Sequence, residues 1–358
     1  MKIAARYRPF SHKPASGALL PLTACFVRAY PTALTIAFPE GSEKTYLWKV
    51  SGPIKNFTVM QDLEKSSILV YAKAQEGYFS YRLFYEKGAI HLRLERAPLQ
   101  GCRLQIGEEE RLILPKETLV LSTYQGWKAK KPLERISFGC HKAQDMELIR
   151  RRNNPIEYFP FWFALGQQVP LEQLPQEGSS VFLTKCHHHL EKVDKEAFLQ
   201  ELENLFAAGF HEMFVPRLYD REYLGLGVSS AAASGQIPLG FLSEGYKLLR
   251  LMLLQHLGDR VDILPCLPSL FHAGRGLGLR LEDQEGQCRA LFDLEWSKKL
   301  IKKIKITSFD KQTLQFVFQK PLKSFRLRHE LQQKGQELLV EQKIELQRGV
   351  YFLDCFKK

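Results

Sequence analysis

Between residues 33 and 95 apolar and polar residues alternate with a period of two. Successive side chains of a strand point to opposite faces, so runs such as ALTIAF, FTVMQ, SILVYAK, YFSYRLFY and AIHLRLE each offer one apolar and one polar side. EGSEK, EKS, QEG and EKG separate them and carry turn chemistry. Five such runs in about sixty residues, rich in β-branched and aromatic types, predict an antiparallel β sandwich. Leu112, Leu114, Leu119 and Leu121 continue the pattern, and the expected N-terminal domain is residues 1–125.

The period then changes. Residues 141–152 carry Met146, Leu148 and Ile149 on one side and end in Arg150, Arg151 and Arg152, where cations suit the negative end of a helix. Asp194 is an N-cap for a second helix, with Val193 and Phe198 placed as a staple and Leu199, Leu202, Leu205 and Phe206 at helical spacing. Gly209 is expected to end that helix as a left-handed cap. After a small-residue loop at 225–240, Ser243 is expected to cap a helix running to Gly258. Residues 126–258 therefore read as a linker and a helical middle. Phe159, Phe161, Trp162 and Phe163 are too many large rings for a solvent face, and are expected to lock this middle to a β domain.

Alternation returns in QCRALFDLEW, KLIKKIKITS, QTLQFVFQ and GVYFLDCF, which makes residues 259–358 a second, smaller β-sandwich domain. The chain is thus a multidomain β + α protein of 358 residues. Its formal charge is +12, and residues 287–358 hold 16 Lys and Arg against 8 Asp and Glu. That surplus suits an anionic partner, nucleic acid or another polyanion. The alternation of Lys302, Lys303 and Lys305 with Ile301, Ile304 and Ile306 is equally that of a solvated strand face. No run of about twenty apolar residues is present, so no membrane partner is expected and the reading is cytoplasmic. Seven scattered cysteines form no C-x-x-C pair and read as free thiols.

Residues 244–306 carry a resemblance. A helix ending in the MLLQ of 252–255 is followed by ILPCLP at 263–268, a glycine and arginine segment at 273–279, and the strand LEWSK at 294–298. This order resembles the C-terminal part of the inverting α-L-fucosidases and related glycoside hydrolases, which join an N-terminal supersandwich, an α/α toroid and a C-terminal β domain. His141, Asp145, Leu148 and Arg151 are similar to that family's H-x-x-D-x-x-x-L-x-x-R linker helix. The resemblance implies a carbohydrate ligand, and nothing in the sequence calls for a cofactor or metal.

Two departures bear on activity. A toroid of six helical hairpins needs roughly 200 residues, and only 114 positions separate His141 from Gln255. The family's D-x-N-F-G segment, which carries its catalytic base, falls on Gly240, Leu242 and Ser243, with Glu244 as the nearest acid. The resemblance therefore implies a shortened relative that binds sugar with hydrolysis lost or altered. The best local cluster for sugar chemistry is HEMFVPRLYDREYLG. Glu212, Asp220 and Glu222 are its candidate catalytic acids, because glycoside hydrolysis uses paired carboxylates. Arg217, Tyr219 and Tyr223 are its candidate sugar-binding groups, guanidinium for hydroxyls and rings for C–H faces. Read as an extended segment, CHHH at 186–189 turns only His187 and His189 to one side, too few for a metal site. Gly225-Leu226-Gly227 and Gly276-Leu277-Gly278 lack the third glycine of a dinucleotide loop and read as turns.

Overall fold

A computed structural model of the chain describes residues 1–98, 100–128, 133–219, 226–229, 237–330 and 334–358. The chain is β-rich and its strand pairing is mostly antiparallel. The alternating N-terminal segment forms two six-stranded sheets. One runs through Lys55–Asp62, Ser67–Ala74, Gly77–Glu86 and Ala89–Arg96, neighbours in sequence and in space. The other runs through Phe26–Ala29, Ala33–Ala37, Glu43–Lys49, Cys102–Ile106 and Glu109–Ile113. Their inward side chains meet: the rings of Trp48 and Tyr81 lie 5.0 Å apart, and Tyr46 donates its hydroxyl to the Leu121 carbonyl at 3.2 Å.

Among the described residues five α-helices follow, α1 (Met146–Arg152), α2 (Pro155–Gly166), α3 (Val181–Glu191), α4 (Lys195–Gly209) and α5 (Gly240–Leu253). They form no closed ring of hairpins. The helix starts obey local chemistry. Asp145 accepts from the Glu147 amide before α1, Asn154 from the Ile156 amide before α2 with Pro155 in its first turn, and Asp194 from the Ala197 amide before α4.

Several expected ends are corrected. Gly209 is the last residue of α4 and is not left-handed; the chain passes into extended Phe210, and a side chain at Gly209 would meet Leu205. Helix α5 begins at Gly240, three residues before Ser243, whose hydroxyl turns back to the Gly240 carbonyl. It stops at Leu253 because Leu254–Leu257 pairs antiparallel with Arg260–Ile263, with Gly258 (φ +59°) in the turn. Gly276-Leu277-Gly278 lies inside the strand Ala273–Glu282, where pairing with Cys288–Ser297 shifts register. It is a bulge, and Asp293 accepts from the Gly278 amide at 2.9 Å.

The C-terminal region is a seven-stranded sheet and a four-stranded sheet. Arg135–Ser137 pairs with Ala273–Glu282 at the edge of the larger one, and Leu254–Leu257 belongs to the smaller, so both sheets recruit residues that precede 259. One contiguous apolar cluster runs through both β regions and the helices. The aromatic run of α2 is its centre, with Phe159, Phe161, Trp162 and Phe163 all buried. Phe161 packs edge-on to Tyr7 at 6.1 Å and Phe159 lies 5.7 Å from Phe271, so this helix touches the N-terminal segment on one side and the C-terminal region on the other. Trp162 donates its indole N–H to the Phe241 carbonyl of α5 at 3.1 Å.

Candidate functional site

The cluster singled out by sequence begins in a short hairpin, Phe210–His211 paired with Val215–Pro216. Helix α4 delivers the chain into it, and an isolated bridge between Met213 and Ala18 fastens it to the N-terminal sheet edge. Two non-glycine residues in the hairpin, Glu212 (φ +47°) and Phe214 (φ +57°), have left-handed backbone. Such strain persists only where the surroundings over-determine it. Here buried Phe214 packs against Phe206, Phe210 and Phe161, and the Glu212 carboxylate accepts the backbone N–H of Gly17.

Both described charged candidates of this cluster serve the chain itself. Glu212 is held by the Gly17 amide, beneath the Phe26 ring. Arg217 donates to the Ala208 carbonyl at 2.9 Å, satisfying the frayed end of α4. Tyr219 is half-buried just beyond. Asp220, Glu222 and Tyr223 lie outside the described residues. His211 was not singled out by sequence. Burial is the main cause holding its imidazole below the ordinary histidine value; Glu212 opposes, and Arg217, Arg150 and Arg28 reinforce.

The histidine run is corrected. CHHH is helical, within α3, so its side chains fan out at about 100° steps. His187 faces Glu244 of α5 at 3.8 Å and His189 faces Asp194 at 3.8 Å. No group of three or more metal-ligating side chains occurs among the described residues.

A second location gathers the segments that carried the family resemblance. A cavity of about 380 Å³ is lined by His141, Arg275, Glu295, Trp296, Ser137 and Ser297, together with the N-terminal residues Ile3 to Ala5. Antiparallel pairing sets Arg275 directly opposite Glu295, and the two form an ion pair at 3.1 Å. Arg275 also donates to the Lys2 carbonyl at 2.9 Å, which ties the N-terminal segment across the cavity. Gly274 keeps the wall tight: a side chain there would collide with the Trp296 ring. Glu295 is the one carboxylate lining this cavity among the described residues. No signal in the sequence joins His141 to Glu295, which are 154 positions apart.

The basic surplus of the C-terminal region is spread over both sheets and their turns, and several of its cations are paired with acids. Lys305 faces Asp293 at 3.9 Å, and Arg326 and Arg328 both contact Asp354. No helix among the described residues is long and apolar enough to cross a membrane. The sequence matches no family model among known protein families and no curated protein.

Proposed function

We propose that this chain is a carbohydrate-binding relative of the toroidal glycoside hydrolases that binds sugar without cleaving it. The observation that carries the reading is the cavity where His141, Arg275 and Glu295 converge. It brings both halves of the resemblance into one place, and it offers what a sugar needs: charged and hydroxyl groups for its oxygens, and Ile3, Ala5 and the edge of Trp296 for its C–H surface. Two-carboxylate hydrolysis has no support there, because Glu295 is a single acid already paired with Arg275. Glu212 likewise spends its carboxylate on a backbone amide.

On the same footing we read the two N-terminal sheets as the supersandwich and the two C-terminal sheets as the smaller sandwich, with units at 1–125, 126–258 and 259–358. The contacts of Trp48 and Tyr46 across the N-terminal sheets support the first unit, while the strands Arg135–Ser137 and Leu254–Leu257 tie the middle unit into the C-terminal sheets. A cytosolic setting suits the four buried free thiols Cys25, Cys102, Cys186 and Cys266.

The test pairs a turnover assay with binding. Aryl fucosides, galactosides and glucosides should release no product, while calorimetry against a glycan panel should find a binder that Glu295→Gln and His141→Ala each weaken about tenfold. Turnover that Glu212→Gln abolishes would replace this reading with a working acid–base site in the hairpin. Absence of any glycan binder, with salt-sensitive binding to nucleic acid, would favour a polyanion-binding protein instead.

A further inference from the structure

The two N-terminal sheets leave a cavity of about 370 Å³ at one end, far in sequence from the groups discussed above. Phe79, 2% exposed, lines it from the first sheet, and its ring continues inward to Trp48 at 6.2 Å. Val50, Pro98 and Leu112 add apolar wall. Leu112 is 50% exposed in the strand Glu109–Ile113, next to fully buried Ile113. Gly101 (φ +81°) closes the turn beside it, where a side chain would strike the Ile113 carbonyl.

Charge at the mouth comes from two cations, Lys49 and Arg103, and one carboxylate, Glu76. Strand register sets Lys49 opposite Arg103 and Arg103 opposite Leu112, so two cations and an exposed leucine form one row on one face. Glu76 also lines the cavity, but both its oxygens accept the Ser51 amide, at 2.9 and 3.2 Å. Arg103 reaches Glu110 at 3.1 Å in a solvent-exposed pair, an interaction weak enough for a ligand anion to displace. The volume lies within the range of small-molecule pockets.

We propose that this end of the N-terminal sheets binds a small amphipathic anion, its carboxylate on Lys49 and Arg103 and its apolar body against Leu112, Val50 and Phe79. The neighbouring thiol of Cys102 takes no covalent part, since burial pushes it up to about 11. The site is independent of the sugar cavity, so either proposal stands or falls alone.

Isothermal calorimetry with sodium octanoate tests it, with octan-1-ol as the uncharged probe of the same length. Octanoate should bind at least tenfold more tightly than octanol. Arg103→Gln should remove most of that difference, and Lys49→Gln should reduce it. Leu112→Ser should weaken both probes together. Lys49 and Arg103 project from a strand face, so circular dichroism of their variants should match the parent. No octanoate binding, equal affinity for the two probes, or octanoate affinity unchanged in Arg103→Gln would each overturn the assignment.

Discussion

Glu157 shows how much one side chain is asked to do. It sits in the first turn of α2, only 3% exposed, with Arg152 holding it through Nε and Nη2 and Lys142 at 3.2 Å. Burial alone would raise its carboxyl, and the hydrogen bonds from Arg152 and Lys142 overcome that to hold it below the ordinary glutamate value. The folded state thus binds this proton more weakly than the unfolded chain does. Its stabilisation is complete above the ordinary glutamate range and is lost as the pH falls through the lowered folded value. Glu157→Gln should cost about 3 kcal/mol at pH 7, the low end for a broken buried pair because both cations keep some water. The cost should shrink toward pH 3 in urea titrations, and a pH-independent difference would refute the assignment. Trp162, fully buried between α2 and α5, should cost about 3–5 kcal/mol as Trp162→Ala, read as a lowered thermal midpoint. The aromatic excess of EYFPFWFALG was visible in sequence because so many rings have no solvated arrangement. Their partners, Tyr7 and Phe271, were not, because each lies more than a hundred positions away.

At the scale of elements, α2 and α5 approach closely at two glycines. A side chain at Gly245 would overlap the Trp162 ring, and one at Gly166 would meet the Leu242 carbonyl. Helix propensity favours Ala over Gly by roughly 1 kcal/mol, so Gly245→Ala in an open helix would stabilise. Here the contact is with the packed Trp162 ring, which cannot give way cheaply. Overpacking costs typically about 1–3 kcal/mol, so the net change should be destabilising, and a raised melting temperature would contradict the geometry. Cap chemistry made α4 legible, since Asp194 acts on an amide three residues away, whereas the caps Asp145 and Asn154 were recognised only in the structure. The end of α5 was not legible. MLLQHL suits either period, and only the partner strand Arg260–Ile263 decides that the last four residues are extended.

For the whole molecule, the shared apolar cluster argues for cooperative unfolding. Glu134, 1% exposed, reinforces it: it accepts from Tyr246 at 2.9 Å, from Arg250 of α5 at 3.2 Å and from the Arg280 amide of the C-terminal sheet at 2.7 Å. Gln167, just past α2, exchanges two further hydrogen bonds with its backbone. Calorimetry should show one thermal transition, which Glu134→Ala lowers or splits. Two well-separated transitions in the parent protein would show that the β regions melt independently.

What the sequence by itself determined is what neighbours within a few residues can impose. Period two made strands, N-caps started helices, and the short glycine- and glutamate-bearing stretches between the N-terminal runs made turns. Tertiary structure decided the rest. It made CHHH a helix, turned a glycine pair into a bulge, and gave Glu212 and Arg217 the backbone partners Gly17 and Ala208. It also brought His141, Arg275 and Glu295 to one cavity and set Lys49 beside Arg103. The physical reason is that secondary structure answers to local periodicity and capping, whereas a site is assembled by chain crossings whose register is fixed only when the apolar faces of distant segments are buried together.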